Sequence, residues 1–340
     1  MAAVDRNNPK RAKSSESRYS LMEFMADFPD DAACLDFLWR TRYAEDGEHA
    51  YCPKCEQVRS FARYGTAQRR QSWTCTGCGL HLHPTAGTVF HKSSTSLHLW
   101  FYAMYMMTST RCGISAKQME RELGVTYKTA WRMFHLIRGE LMGPGVDPLT
   151  GEVEMDETYI GGKPRQSDRA QWMNLPTAAL RRQAAQKWSD AKKVPVFGMV
   201  ERGGQVAAQV VPSTQRQTLV PIVEARVSTD ATLYTDDAKV YRGLRRNGYT
   251  DHHTVNHTVN HTARVYVDGQ AHTQTIEGFW SLVKRGLDGS HHAVSAKHLQ
   301  GYLNEYIWRY NHRDNNLTEH AEAPAMFALL LLRAALPVSI

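Results

Sequence analysis

Two short cysteine turns carry the clearest chemical signal in the chain. Cys52-Pro53-Lys54-Cys55 is followed, nineteen residues later, by Cys75-Thr76-Gly77-Cys78. Each C-x-x-C knuckle presents two thiolates on one side of a turn, and two knuckles complete the tetrahedral sulfur set that zinc takes. A four-thiolate site leaves no position for substrate. The spacing therefore predicts one structural Zn2+ per chain, held by Cys52, Cys55, Cys75 and Cys78. His81 and His83 follow closely but are not needed.

A second set of residues is acidic. Asp156 lies within Glu154-Met155-Asp156-Glu157-Thr158, Asp236 follows the short apolar stretch 231–235, and Glu277 opens the helical pattern of 273–287. Lys284 stands seven residues after Glu277, close to two turns, on the same helix face. Two divalent ions need carboxylates brought together from separate elements, and two adjacent strands and a helix would supply them. Spacing leaves Glu154, Glu157 and Asp237 as rivals.

These residues must be positioned by two different kinds of structure. Before Gly143-Pro144-Gly145 the patterns are helical or cysteine-rich. Leu97, Trp100, Phe101 and Met104 repeat at helical spacing. In 113–141, a helix over 115–123, a tight turn at Gly124-Val125-Thr126 and a helix over 127–141 resemble a helix-turn-helix, with Thr126 as N-cap and Ala130, Phe134 and Ile137 facing inward. Tyr127, Lys128, Thr129 and Arg132 then lie where groove contacts are made; an ordinary helical hairpin is the alternative. After the break the chain turns to strands: 152–160, then 194–200 and 206–211 around Glu201-Arg202-Gly203-Gly204, a hairpin signature. A helix over 219–227 with Pro221 in its first turn, a strand over 231–235, and helices over 273–287 and 297–311 complete an α/β order with a mixed sheet.

Two segments stand apart. Residues 163–193 hold Lys163, Arg165, Arg169, Arg181, Arg182, Lys187, Lys192 and Lys193 against Asp168 and Asp190. They read either as a solvated loop with a short helix or as an arm over a nucleic-acid backbone. Thr254-Val255-Asn256-His257 repeats as Thr258-Val259-Asn260-His261; its period of two suits a duplicated strand edge better than a histidine metal site.

Composition narrows the class. The 340 residues are 42% apolar and 22% charged, which excludes wholesale disorder. Lys plus Arg exceeds Asp plus Glu by 41 to 34, a balance that favours polyanionic partners. The first twenty residues are polar and basic, without the apolar core of a secretory signal. The apolar runs 99–107 and 325–332 are too short to span a bilayer, and Arg333 and Pro337 would end a terminal helix. Cysteine pairs without a leader point to a cytoplasmic, metal-binding protein, with Cys34 and Cys112 isolated.

Taken in order, these motifs resemble the bacterial insertion-sequence transposases of the DDE type with an N-terminal zinc ribbon, the ISXO2-like group. The matching residues are Cys52 to Cys78; Gly113-Ile114-Ser115-Ala116 with Leu123-Gly124-Val125 and Ala130-Trp131; Glu154 to Thr158 with Gly161-Gly162-Lys163; Thr235-Asp236; and His272 to Glu277. They continue through Trp280-Ser281-Leu282, Lys284-Arg285, His298-Leu299, Tyr302-Leu303 and Arg309 to Arg313, so coverage runs from about residue 20 to 313. Gln274, where relatives usually carry Asn, and the duplicated Thr-Val-Asn-His depart from the pattern.

The resemblance implies an α/β multidomain chain. Residues 1–44 form a basic arm and N-terminal helices, 45–95 the zinc ribbon and 96–142 the helix-turn-helix DNA-binding region. Residues 150–313 form a ribonuclease-H-like mixed-sheet catalytic domain, and 314–340 a C-terminal helical tail. It places the catalytic acids on Asp156, Asp236 and Glu277, with Lys284 as the trailing base and two catalytic Mg2+. It implies double-stranded DNA, both element ends and target, as partner, a homodimer or larger assembly on DNA, and no membrane. The competing expectations are a zinc-ribbon, helix-turn-helix regulator with an inactive nuclease-like domain, and a nuclease on the same fold.

Overall fold

A computed structural model of the chain describes residues 19–65, 72–110, 113–143, 145, 147–161, 166–255, 272–292, 294–313 and 326–338. They group into two compact units. One gathers the described residues of Met1–Arg111, Ala116–Leu141 and Leu317–Ile340; the other gathers those of Cys112–Ser115 and Met142–Asn316. The basic arm before Tyr19, Cys112, Lys163, Arg165 and the repeat beyond Val255 lie outside the described residues.

The first unit opens with α1, Leu21–Asp27, started by a capping box between Ser20 and Glu23, and α2, Asp31–Arg42, capped by Asp30. Pro29 falls between them, where no helical N–H is needed. Four antiparallel strands follow in spatial order: β1 His49–Cys52, β2 Gln57–Tyr64, β3 Ser72–Cys75 and β4 His81–Leu82. So small a sheet has little core of its own, and it borrows one from α2. Trp39 stacks on Trp73 with ring centroids 4.7 Å apart, and both are buried with Leu35 and Phe61.

Three helices complete this unit's middle: α3 Leu97–Ser109, α4 Ala116–Leu123 and α5 Tyr127–Leu136, the last running on as a π-helical turn over Ile137–Leu141. Gly124, at φ +63°, makes the turn between α4 and α5, a conformation costly for any residue with a Cβ. Thr126 caps α5 by accepting from the Thr129 N–H, and Ala130, Phe134 and Ile137 are buried. The C-terminal helix, Met326–Ala335, belongs to this unit. Its Phe327 packs against Phe24, Phe28 and Tyr105, and Arg333 donates to the Leu141 carbonyl at 3.0 Å.

The second unit is one five-stranded sheet with helices on both faces. Its strands are β5 Glu152–Gly161, β6 Lys193–Glu201, β7 Val206–Val210, β8 Thr232–Asp236 and β9 His252–Val255, in spatial order β7-β6-β5-β8-β9. β5, β6 and β7 are antiparallel neighbours, whereas β8 and β9 run parallel to β5. Between β5 and β6 stand α6, Gln166–Met173, and α7, Ala178–Lys192. The basic segment is thus a helical hairpin rather than a loop with one short helix, pinned by Trp172 against Trp188.

α8, Arg216–Arg226, covers one face through Leu219, Val220 and Val223. It begins three residues earlier than its apolar pattern suggests, so Pro221 sits in its interior and not in its first turn. The other face carries α9, Gln274–Gly286, and α10, Ala296–Asn311, through Ile276, Phe279, Val283, Leu299 and Leu303. β5 is therefore buried on both sides. Val153 and Met155 face α8, and Glu154, Asp156 and Thr158 alternate onto the α9 face.

Candidate functional site

The first unit holds a four-sulfur cluster. The Sγ atoms of Cys52, Cys55, Cys75 and Cys78 all lie within 4.8 Å of one another, with Cys52 to Cys78 at 3.5 Å and Cys55 to Cys75 at 3.9 Å. The edge of a tetrahedron with ~2.3 Å metal–sulfur bonds is ~3.8 Å, so this set could hold a metal ion. Strand pairing makes the cluster: β1 ends on Cys52, β3 ends on Cys75, and each strand is followed by its own knuckle. Burial raises the Cys75 thiol, but the N–H groups of Cys78 and Gly77 outweigh it and bring it down to about 7. The hydrogen bond with Cys78, with burial, pushes the Cys55 thiol of the same cluster the other way, up to about 12, so the thiols do not ionise alike.

The second unit holds the acids. Asp156 lies on β5 opposite Gly198 of β6. Asp236 closes β8, and the β5–β8 ladder, which pairs Glu154 with Tyr234, carries both strands forward side by side to these two aspartates. Glu277 is in the first turn of α9, whose buried stripe of Ile276, Phe279, Trp280 and Val283 leaves Glu277, Ser281 and Lys284 outward. Asp156 feels the other two acids, although among the described residues the four cysteines are the only group of three or more His, Cys, Asp or Glu whose ligand atoms lie within 4.8 Å of one another. Burial, then the charges of Asp236 and Glu277, push the Asp156 carboxyl up to about 6, against hydrogen bonds from the Glu157 N–H and Trp280. A surface depression at this point is lined by Asp156, Glu157, Glu277, Trp280, Lys284 and Arg285.

Trp280 positions Asp156. Its Nε1–H donates to Asp156 Oδ2 at 3.1 Å, and its ring lies directly over Gly198. A Cβ at residue 198 would stand 2.3 Å from that ring, so glycine is required here by close approach rather than by backbone angle. Asp236 accepts from the Ala238 N–H at 3.1 Å, which fixes the turn after β8.

The rival acids separate. Glu154 is fully buried and accepts from Arg202 Nε at 2.7 Å, from the N–H groups of Thr275 and Ile276 at 2.8 and 3.0 Å, and from the Thr275 hydroxyl at 3.0 Å. It caps α9 from a neighbouring strand, where Thr273 gives no side-chain cap. Glu157 takes the Tyr241 hydroxyl at 2.7 Å; burial and the charges of Asp236 and Asp156 raise it to about 7. Asp237 is exposed.

At the other end of the chain, Tyr127, Lys128 and Arg132 are exposed on the first turns of α5, whereas Thr129 is half-buried and its hydroxyl lies 3.1 Å from that of Thr126. Lys117 of α4 lies over the Tyr127 ring at 5.7 Å. Sequence reasoning read Arg202 only as part of a hairpin turn and Trp280 only as part of a matching motif; it gave neither a role beside the acids.

Residues 148–311 match the ISXO2-like transposase domain. An uncharacterised protein in the transposable element ISH50 of Halobacterium salinarum is 31% identical over 264 residues, covering 76% of this chain and 84% of that one. An uncharacterised transposase-like protein of Haemophilus influenzae is 29% identical over 110 residues, 32% of this chain and 84% of its own length. The class these define is the insertion-sequence transposase. The chain belongs to the ISXO2-like transposase family. Among the described residues, no helix is long and apolar enough to cross a membrane.

Proposed function

We propose that the chain is a DNA transposase, acting in the cytoplasm, that binds the terminal inverted repeats of an insertion sequence and cleaves and joins DNA at Asp156, Asp236 and Glu277. The observation that carries this reading is that Asp156, within the stretch matched by the transposase domain, feels the charges of both Asp236 and Glu277. The strand order, three antiparallel strands followed by two parallel ones with helices on both faces, supports a ribonuclease-H-like fold.

The acids are hard oxygen donors, and their mutual repulsion suits divalent cations. Asp156, Asp236 and Glu277 would hold two Mg2+. When bound, the ions supply charge neutralisation and oxygen activation for in-line displacement at phosphorus. Trp280 holds the Asp156 carboxylate in one orientation. Lys284, two turns beyond Glu277 and exposed, faces the same depression and would hold a DNA phosphate beside the acids.

The cysteine cluster would take one structural Zn2+ and fold residues 45–95 around it. The α4–α5 pair would act as the helix-turn-helix, presenting Tyr127, Lys128, Thr129 and Arg132 to a DNA groove, with the Thr129 hydroxyl shared with its cap. Two element ends call for at least a dimer on DNA.

A plasmid carrying the DNA that flanks the gene tests the reading. Mg2+-dependent nicking at the inverted repeats, followed by joining of the freed end to a second DNA, is expected. Specific binding without cleavage would instead support the regulator, and cleavage without joining the nuclease.

A further inference from the structure

Arg202 lies in the turn between β6 and β7, at least 34 residues in sequence from Asp156, Asp236 and Glu277. Gly203, at φ +74°, lets this turn fold back so that the Arg202 N–H donates to the Glu152 carbonyl at 2.8 Å. The side chain then runs inward and is 15% exposed. Nε meets Glu154 Oε1 and Nη1 meets Glu152 Oε2, both at 2.7 Å. Nη2 donates to the His272 carbonyl at 2.8 Å, and the guanidinium carbon stands 4.0 Å from the centre of the Tyr234 ring. Burial opposes the guanidinium charge, and Glu154 and Glu152 outweigh it.

These contacts share a register. Glu154 precedes Asp156 by two residues, Tyr234 precedes Asp236 by two, and Thr275, bound by Glu154, precedes Glu277 by two. In the two strands a separation of two keeps side chains on one face, so a tilt of either strand at the Arg202 contact is carried directly to its acid. A buried ion pair of this kind is weak evidence for stability, since apolar residues of similar volume often do as well. Its geometry does something apolar residues do not: a planar fork with fixed donor directions sets angles among three elements at once.

Resting on the functional reading above, we propose that the Arg202–Glu154 pair is the positioning centre of the acid site, locking β5, β8 and α9 so that Asp156, Asp236 and Glu277 are held on neighbouring elements, from which a divalent cation can draw them together. Neither residue lines the depression at Asp156, Glu277 and Lys284. The pair acts through the elements that carry the ligands, as outer partners of metal ligands do.

The test uses the full-length protein with Arg202→Lys, which keeps the charge and loses the fork, and Glu154→Gln, which keeps the volume. Mn2+ binding without DNA is measured by electron paramagnetic resonance. Nicking of the flanking-DNA plasmid is measured against Mg2+ concentration, and melting and metal-free DNA binding are measured alongside. Both variants are expected to melt cooperatively and to bind DNA like the parent. Mn2+ affinity is expected to fall by about 10–100-fold, with the Mg2+ midpoint of nicking shifting in step. The double variant is expected to lose no more than the worse single one, because the two residues act as one device.

Folded Arg202→Lys and Glu154→Gln with parental Mn2+ affinity and Mg2+ midpoint would overturn the proposal. Loss of the cooperative melt in both would overturn it too, marking the pair as general core. Asp156→Asn in the same assays separates the two levels. A dead Asp156→Asn beside an unaffected Arg202→Lys sinks only the positioning claim, whereas an active Asp156→Asn sinks the site itself.

Discussion

The cysteine cluster and the acid cluster are built in opposite ways. All four thiolates come from 27 consecutive residues, on two knuckles joined by paired strands. The acids come from two strands and a helix spread over 122 residues, and they can approach one another only when the sheet has formed and α9 has docked. A local cluster needs its metal to complete a small fold. A distributed cluster needs the fold to complete the site. The first should therefore fail as a loss of structure, and the second as a loss of chemistry.

The largest effect expected is at the ribbon. Structural zinc contributes on the order of 10 kcal/mol to such small folds. Cys75→Ser should abolish zinc binding and the ordered packing of Trp39 on Trp73, while the five-stranded sheet persists. Elemental analysis and near-ultraviolet circular dichroism would show this. Zinc-free protein that keeps the tryptophan signal would break the comparison from the ribbon side.

At the acid site, Asp156→Asn should leave melting and DNA binding almost unchanged and lower Mg2+-dependent strand cleavage by about 10²–10³-fold or more, with Asp236→Asn alike. Glu157→Gln and Asp237→Asn should be much milder in the same assay. If those two abolish joining and Asp156→Asn does not, the acids are misassigned even though the family stands.

Gly198→Ala sharpens the distributed case, because it alters packing without touching a ligand. Its Cβ would push Trp280 off Asp156, costing about 1–3 kcal/mol of stability in the melt and lowering cleavage further than stability alone explains. Arg132→Ala tests the DNA face and should weaken end binding by about 1–3 kcal/mol in a competition assay against random DNA.

The smallest effect is in pH. Asp156 and Glu157 titrate higher in the folded chain, near 6 and 7, than their ordinary 3.8 and 4.5. Between about pH 4 and 7 the metal-free folded state therefore binds more protons than the unfolded one, so this pair's contribution favours the fold at low pH and is lost as pH rises through 6 to 7. The melting temperature of chelated protein should fall modestly across that window, and Asp156→Asn should flatten the slope. Asp46, Asp190 and Asp251, held below the usual carboxylate range, act at lower pH.

How much of this was legible in the sequence follows the same division. Cysteine spacing, the Thr126 cap and the Gly124 turn are local, and they can be read residue by residue. The three acids were legible as candidates, but not their separation from Glu154 and Glu157. β5 is buried on both faces, so alternation alone does not say which acids face α9. Arg202 was invisible for the same reason: in sequence it is one residue of a Glu-Arg-Gly-Gly turn, and its partners lie on other elements. The α6–α7 hairpin was misread because, among its described side chains, only Trp172 is buried, too little to give an amphipathic pattern. The α8 boundary was displaced because its first residues, Arg216, Gln217 and Thr218, carry no apolar signal.

The C-terminal helix adds a matter of timing. Phe327, Leu330 and Leu331 fill the core of the unit whose other helices precede the second unit in the chain. Those helices wait, one partner short, while the entire second unit is synthesised. A chain stopped just before residue 326 should therefore carry an unfilled hydrophobic seat in its first unit and be prone to aggregate, although every strand of the second unit is present.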